Sequence, residues 1–253
     1  MSYLLEVSGL EKAYGGVKAV NGVSFRVKEQ TIFSVIGPNG AGKTTLFNLL
    51  TGIERPDSGS ILFHEDQLVG LPPFKVALKG ISRTFQNLQI FFNMSVVENV
   101  MVGCHRLGNA SMLSAIFRLP SMLREERLIR HKALKALEFC GMSQMRDKPA
   151  DSLPYGQLKK LEIARALASE PHLVLLDEPA AGLNDTETVE LSELIKKLVE
   201  NGITVLLVEH NMGLVMDVSD EVLVLNYGEL LAMGTPSAIQ KDPKVVAAYL
   251  GEE

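Results

Sequence analysis

The chain has 253 residues, a formal net charge of −5, and 46% hydrophobic against 22% charged residues. This composition predicts a folded protein with a sizeable core and excludes a disordered chain, while the acidic balance argues against a nucleic-acid platform, which usually carries a basic surface. No apolar stretch approaches the length of a bilayer span and the N-terminus shows no secretory signal, so we expect any link to a membrane to run through a partner protein.

The N-terminal segment predicts an antiparallel β unit. Apolar and polar residues alternate over residues 4–27, and two turns are predicted inside this stretch, at Gly15-Gly16 and at Asn21-Gly22. A further strand is predicted at residues 61–63, directly after the turn-forming residues 56–59.

The next feature is a glycine-rich loop between an apolar strand, residues 32–36, and a helix that begins near Thr45 and stops near Gly52. Glycines let several amide N–H groups of such a loop point at one anion, and the helix adds its positive end to the same spot. The Lys43 amine would then reach the β- and γ-phosphates of a nucleotide, and the Thr44 hydroxyl would bind Mg²⁺. A turn with a chance lysine is the alternative, but the flanking strand and helix argue against it. The residues assigned to this site are Gly37, Pro38, Asn39, Gly40, Ala41, Gly42, Lys43, Thr44 and Thr45.

The chain then changes to a helical pattern, in which residues such as Ala133 and Leu137 share one apolar face opposite a basic one. This pattern predicts a helical subdomain, residues 94–169, inserted into an α/β core. The core is expected to comprise residues 1–93 and 170–253, so that the whole chain forms a single domain.

An apolar run, residues 173–176, ends in two adjacent acids, Asp177 and Glu178. Continuous apolar character is typical of a central parallel strand, and sheets of this kind bind ligands at the carboxyl ends of their strands. Asp177 is therefore a candidate ligand of Mg²⁺, and Glu178 is placed to polarise the water that attacks the γ-phosphate. A solvated acidic strand end is the alternative, and the phosphate loop upstream favours the site.

After this strand, helix and strand alternate, which indicates a parallel sheet. A helix is predicted between Asn184 and Asn201, a strand at residues 203–208 that ends at Glu209-His210, and another strand at residues 222–225. The predicted fold class is therefore α/β: a P-loop NTPase core with a parallel sheet, an N-terminal antiparallel β subdomain and an inserted helical subdomain.

Residues 153–167 read LPYGQLKKLEIARAL and precede the acidic strand. With this sequence, and directly before the acidic strand, the segment resembles the signature region of ATP-binding cassette (ABC) ATPases. The resemblance to this family extends over nearly the whole chain. It implies that Tyr14 stacks on adenine, that Gln86 is the Q-loop residue that holds Mg²⁺ or water, and that His210 is the switch histidine beside the γ-phosphate. Alone, each residue has a simpler explanation, as a turn residue, a loop amide and a solvated strand end. Their joint order favours an ATPase site.

The resemblance thus predicts ATP and Mg²⁺ as the bound cofactors. The residues expected to act in catalysis are Lys43, Gln86, Glu178 and His210. The residues expected to bind Mg²⁺ are Thr44, Gln86 and Asp177.

A second cassette is also implied. In ABC ATPases two cassettes face head to tail, and Tyr155, Gly156 and Gln157 at the start of the signature helix would cap the γ-phosphate bound to the other copy. We therefore expect a homodimer or a pair with another cassette, closed by ATP and opened by hydrolysis. Two departures stand out, because Pro154 replaces the serine of the common signature and Asn184 stands where many members have aspartate.

These departures also narrow the subfamily. The loop 180–184, a helical insert near 106–140 and the ending 234–252 look like the ATPase subunits of branched-chain amino acid importers. ATPases of lipopolysaccharide export and of urea or amide transport are the alternatives. A soluble ABC protein of DNA repair or translation is the alternative of another class, although the chain has neither two fused cassettes nor a long coiled-coil insertion. A P-loop kinase would leave the signature helix and His210 unexplained.

The partners that the resemblance implies are membrane permease subunits, a second ABC ATPase subunit and, indirectly, a solute-binding protein, with no nucleic acid. The expected location is peripheral, on the cytoplasmic face of the inner membrane. Residues 86–98 are expected to receive a short permease helix in a groove lined by Phe91, Phe92 and Met94. The alternative is that these three side chains belong to the core of the helical subdomain.

Overall fold

A computed structural model describes residues 3–104 and 120–250 of the chain. Part of the predicted helical insert, residues 106–119, and the last residues of the predicted C-terminal ending, 251–252, lie outside the described residues. The chain divides into two compact units, one formed by residues up to Arg83 together with those from His172 onward, the other by residues 84–171. The sequence-based limits of the helical subdomain, 94 and 169, stay a prediction.

The first unit begins with an antiparallel sheet in the strand order β2-β1-β4-β5. Its strands are β1 (Tyr3–Tyr14), β2 (Val17–Lys28), β4 (Ser58–Phe63) and β5 (Asp66–Gln67). The turn predicted at Gly15-Gly16 connects β1 to β2. The antiparallel start of the chain is thus confirmed.

The turn predicted at Asn21-Gly22 is wrong, because both residues lie inside β2. Leu10 pairs with Val23 and Lys12 pairs with Val20, so two residues of β2 face a single residue of β1. This is a β-bulge, and Gly22 has the positive φ of 68° that favours glycine.

The second sheet follows the order β10-β9-β3-β8-β7-β6, and all its neighbouring pairs are parallel except β10 with β9. Its strands are β3 (Ile32–Ile36), β6 (Ile81–Arg83), β7 (Leu173–Asp177), β8 (Thr204–Val208), β9 (Glu221–Asn226) and β10 (Glu229–Gly234). Every residue of β3, β7 and β8 is buried, which explains why these strands are apolar except for Ser34, Asp177 and Thr204.

Helices follow these strands in the first unit and a large apolar cluster fills its interior. Side chains from both sheets and from the first helix meet there, and the Phe25 and Phe33 rings stack with their centroids 5.3 Å apart. The helices of this unit are α1 (Lys43–Leu50), α2 (Pro73–Leu78), α6 (Asp185–Glu200), α7 (Met212–Val218), α8 (Pro236–Gln240) and α9 (Pro243–Leu250).

The second unit is helical. Its helices α3 (Val96–Gly103), α4 (Pro120–Phe139) and α5 (Tyr155–Leu167) pack against one another. The predicted apolar face of α4 is confirmed, since Ala133 and Leu137 are buried. At Gly103 a Cβ would lie 2.1 Å from the Arg165 carbonyl oxygen, so the close approach of α3 to α5 requires glycine.

None of the helices within residues 3–104 and 120–250 combines the length and the apolar character that a membrane span requires.

Candidate nucleotide site

The carboxyl ends of three parallel strands lie at one edge of the second sheet. Val35 of β3 and Asp177 of β7 are both register partners of Val208 in β8. Because these strands are aligned, the loops that follow them, residues 37–42, 178–184 and 209–211, start side by side. The structure therefore brings the phosphate loop, Asp177, Glu178 and His210 to one edge, where open α/β sheets bind ligands.

The phosphate loop has a backbone that only glycine can adopt at two positions. Gly37 has φ 152° and Gly42 has φ 101°. A Cβ at Gly37 would lie 2.1 Å from the Leu225 carbonyl oxygen, and one at Gly42 would lie 2.1 Å from that of Ala19. The loop is thus pressed against β9 and β2, which sets the path of its amides.

Lys43 closes this loop from inside. Its side chain is buried, and Nζ donates hydrogen bonds to the carbonyl oxygens of Gly37 (2.6 Å) and Pro38 (2.9 Å). Thr44 and Thr45 follow in the first turn of α1, and Thr44 is exposed to solvent. A buried ammonium group at the start of a helix favours an anion there.

Asp177 ends β7 and forms a buried ion pair. Its Oδ2 accepts a hydrogen bond from the Arg83 guanidinium at 2.8 Å, and the two side chains are 4% and 7% exposed. Arg83 also donates to Asn48 Oδ1 at 2.8 Å, which joins the strand end to α1. Sequence reasoning missed Arg83, although a charged residue at the end of a short strand beside the acidic strand was a signal that could have indicated it.

Glu178 and His210 meet across two of these loops. His210 Nε2 and Glu178 Oε1 lie 2.7 Å apart, a hydrogen-bond distance at which the carboxylate accepts when Nε2 carries the proton. Glu178 has a φ of 49°, in the left-handed region that non-glycine residues rarely occupy. Its backbone N–H donates to the Val208 carbonyl oxygen at 2.9 Å, which ties this loop to β8.

Glu209 is a buried carboxylate between the same two loops. Its Oε1 accepts the Ala180 N–H at 2.6 Å, and its Oε2 accepts the N–H groups of His210 at 3.0 Å and Asn211 at 3.2 Å. Burial raises the pKa of Glu209, and these backbone donors partly offset that shift. The sequence indicated Glu209 only as the end of a strand, because its hydrogen-bond donors lie on loops whose proximity the sequence does not reveal.

Tyr14 ends β1 with an exposed ring. Lys12 Nζ lies 5.6 Å from the centroid of that ring, and the same ammonium donates to Asp57 Oδ1 at 3.1 Å. Asp57 Oδ2 also accepts the Ala13 N–H at 2.8 Å, and this bond, followed by that from Lys12, lowers the pKa of Asp57. Asp57 thereby anchors the residues that precede Tyr14.

The remaining predicted site residues belong to the second unit. Gln86 lies in an exposed bend, and the first turn of α5 carries the exposed Tyr155, the buried Gly156 and the half-buried Gln157. Pro154 caps α5 without a side-chain hydrogen bond, so the helix lacks the hydroxyl that serine would supply.

The segment that carries Gln86 is held by α5 within this unit. Glu162, which is buried, accepts the backbone N–H groups of Phe85 and Gln89, each at 3.4 Å, and Arg165 donates to the Gln89 carbonyl oxygen. Burial raises the pKa of Glu162.

Phe91 and Phe92, predicted to line a groove, are exposed, and Met94 is half-buried. The alternative that all three are core residues is therefore wrong.

The donors at the sheet edge fit a hard cation. The Thr44 hydroxyl and the Asp177 carboxylate offer oxygen ligands, which Mg²⁺ prefers and supplements with phosphate oxygens and water. Within the described ranges, no three His, Cys, Asp or Glu side chains form a cluster that could hold a metal ion. Two protein oxygens leave coordination positions of Mg²⁺ for phosphate oxygens and water.

Comparison with known families identifies the fold. The family model described as ABC transporter matches residues 20–181, more than half of the chain. The chain belongs to the ABC transporter family. A second model, described as branched-chain amino acid ATP-binding cassette transporter, matches residues 229–253 of the cassette.

Curated relatives align with the cassette over almost its full length. The high-affinity branched-chain amino acid transport ATP-binding protein BraF of Pseudomonas aeruginosa is 48% identical over 250 residues, which cover 98% of both chains. The protein LivG of Escherichia coli, with the same description, is 45% identical over 98% of both chains. A probable LivG of Archaeoglobus fulgidus is 36% identical over 99% of the cassette and 96% of that protein.

Solved structures of ATP-binding cassettes have the same fold as this chain. The crystal structure of a nucleotide-free ATP-binding cassette from an ABC transporter has a TM-score of 0.87 at 34% identity, and covers 99% of this chain and 100% of that one. The ADP conformation of an ATP-binding cassette of an ABC transporter has the same TM-score and identity, with full coverage of both chains. The predicted fold class is confirmed, and the cassette is a nucleotide-binding ATPase of this family.

Proposed function

We propose that the cassette is the ATP-hydrolysing subunit of a transporter that imports branched-chain amino acids. The descriptions of the relatives BraF and LivG and the match of residues 229–253 support this substrate class. The observation that carries the ATPase role is the 2.7 Å contact of Glu178 with His210 at the edge where the phosphate loop begins.

In this proposal different residues of the first unit bind the nucleotide and catalyse its hydrolysis. Tyr14 stacks on the adenine, and the amides of residues 37–45 with the Lys43 amine bind the β- and γ-phosphates. Glu178 orients the attacking water and takes its proton, while His210 holds the Glu178 side chain and reaches toward the γ-phosphate.

Mg²⁺, when bound by Thr44 and Asp177, would neutralise charge that develops on the phosphates. Residues 155–157 would close the site of a second copy, because no side chain caps the start of α5 and the positive end of a helix suits a γ-phosphate. Pro154 differs from the common family pattern, so recognition of the γ-phosphate would depend on Gly156, Gln157 and the helix end.

Asn184 also differs from the common family pattern. It caps α6, accepting the Glu187 N–H at 3.0 Å.

The partners we propose are permease subunits in the membrane, a second cassette and, through the permease, a solute-binding protein. The exposed Phe91 and Phe92 would contact an apolar permease helix. The cassette would thus lie peripherally on the cytoplasmic face of the inner membrane.

Turnover and binding of ATP test the assignment. Glu178→Gln should keep ATP binding and lower hydrolysis by about 100-fold or more, because the base is lost. Lys43→Ala should instead weaken ATP binding by about 10-fold or more, since a charge-assisted contact to phosphate is removed. Glu193→Gln, on the exposed face of α6, is the matched control and should change neither quantity. Turnover retained in Glu178→Gln would reject the assigned base.

Uptake tests the substrate class. A complex of the cassette with its permeases, reconstituted in vesicles, should accumulate labelled leucine, isoleucine or valine with ATP, and the Glu178→Gln complex should not. ATP-driven movement of lipopolysaccharide or urea without uptake of these amino acids would replace this substrate class by one of the alternatives.

A further inference from the structure

One carboxylate joins the two loops that carry Glu178 and His210. Glu209 directly follows β8 and is 3% exposed. One of its oxygens accepts the Ala180 N–H at 2.6 Å, and the other accepts the N–H groups of His210 and Asn211 at 3.0 and 3.2 Å. Glu209 is thus hydrogen-bonded on one side to the loop after β7 and on the other to the loop after β8.

The loop after β7 has a strained backbone that hydrogen bonds must stabilise. Glu178 has a φ of 49°, a conformation that costs energy for a non-glycine residue and persists when surrounding contacts determine it. Two contacts hold this loop on either side of the Glu178 side chain: its own N–H to Val208, and the Ala180 N–H to Glu209.

We propose that Glu209 is a positioning residue for ATP hydrolysis, whose two oxygens fix the loop of Glu178 against the loop of His210 and thereby set the 2.7 Å contact between those side chains. The inference rests on the proposed function, in which Glu178 is the base. Glu209 itself touches neither water nor phosphate in this role. It acts through the placement of Glu178 and His210.

The chemistry of the side chain explains why a carboxylate is needed. Three N–H donors converge on Glu209, and a carboxylate can accept all of them because it has two oxygens and no proton to donate. Glutamine has the same shape but only one oxygen, so its NH₂ group would face an N–H of one loop. Glu209→Gln therefore breaks one side of the bridge without leaving a cavity.

The first test separates the Michaelis parameters of ATP hydrolysis in the full chain. Glu209→Gln should lower kcat by roughly 10- to 100-fold and leave KM for ATP within about twofold, because displacement of a catalytic group by about 1 Å has effects of this size. Thr204→Val is the matched control: Thr204 begins the same strand, is buried, and its Oγ1 accepts the Gln30 N–H at 2.9 Å. It removes a buried acceptor far from the loops and should leave kcat within about twofold.

Equal kcat in Glu209→Gln and wild type would overturn the proposal, as would equal losses of kcat in Glu209→Gln and Thr204→Val at matched loss of thermal stability. If Glu209→Gln fails to fold, as judged by circular dichroism, Glu209→Asp replaces it. Aspartate keeps both oxygens but withdraws them by one methylene, and the same direction of change is expected.

A second measurement needs no turnover. The chain contains five histidines, so ¹⁵N-histidine labelling gives a small set of imidazole signals, of which that of His210 is assigned by its loss in His210→Gln. Glu209→Gln should shift the His210 signal, whereas Thr204→Val should not. An unshifted signal in Glu209→Gln would overturn the proposal. Failure of the proposed function would appear instead as absent hydrolysis in the wild type, with the His210 shift still present.

Discussion

Removal of the Arg83 side chain should strongly destabilise the cassette. The ion pair between Arg83 and Asp177 has a distance of 2.8 Å, and the two side chains are only 7% and 4% exposed, so solvent screens the charges little. Arg83→Met keeps the apolar length of the side chain and leaves the Asp177 carboxylate buried without this counter-charge. Loss of one member of a buried pair costs about 3–5 kcal/mol.

Thermal unfolding measures this loss. For a chain of this size, the expected decrease in the free energy of unfolding corresponds to a lower midpoint by about 6–20 °C. Arg26→Met is the matched control, because Arg26 pairs with Glu6 at 2.9 Å but the side chains are 60% and 36% exposed. Exposed pairs contribute about 0–1 kcal/mol, so the midpoint of this variant should move by a few degrees at most.

A double variant separates charge from packing. Arg83→Met combined with Asp177→Leu replaces both charges by apolar groups, and most of the lost stability should return because no unpaired charge stays buried. The reasoning is refuted if Arg83→Met and Arg26→Met lower the midpoint equally, or if the double variant is less stable than Arg83→Met alone.

Three further results are expected. Gly42→Ala should weaken ATP binding in titration calorimetry by about 10-fold or more, because Gly42 has φ 101° and its new Cβ would lie 2.1 Å from a β2 carbonyl oxygen. Gly141→Ala is the control, since Gly141 has φ 70° and a Cβ there would meet nothing within 4 Å. It should cost about 1–2 kcal/mol of strain and leave ATP binding unchanged. Burial raises the pKa of the Cys104 thiol to about 11, so roughly one thiol in a thousand is ionised at pH 8. Iodoacetamide should therefore label Cys104 in the unfolded protein and not in the native protein, which peptide mass spectrometry can check. The pKa of Asp57 is lowered from 3.8, so the contribution of this carboxylate to stability is present above pH 3.8 and is lost as the pH falls through the lower pKa of the folded state. The difference in unfolding midpoint between wild type and Asp57→Asn should therefore shrink below pH 3.8. A difference that stays constant with pH would contradict this.

The parts of the fold that the sequence predicted are those with a local signature. Residues 32–36 and 173–177 are buried along their whole length. Apart from Ser34 and the final Asp177 they are apolar, and an apolar run of strand length has few other uses. The phosphate loop was predictable because its glycines, lysine and hydroxyl residues are contiguous. The helix cap at Asn184 was predictable for the same reason, since Glu187 completes the capping box three residues on.

The features that the sequence did not reveal depend on distant residues. Asn21 lies in a bulge, and its N–H donates to the Gly228 carbonyl oxygen at 2.8 Å, a contact that no local turn signal indicates. Arg83 pairs with a residue 94 positions away, and Glu209 accepts from one 29 positions away. Whether such a charged residue is solvated or buried is decided by sheet order, which single-sequence patterns do not give.

Association of the cassette with ATP tests the central claim, that one copy holds the triphosphate and a second copy closes the site with the start of its α5. The measurement is the molar mass of Glu178→Gln by light scattering after gel filtration, with and without ATP and Mg²⁺. We predict a monomer without ATP, a dimer with ATP, and a monomer again when Gly156→Asp is added at the start of α5. A Glu178→Gln protein that stays monomeric at saturating ATP, while the wild type hydrolyses ATP as a monomer at full rate, would contradict the account.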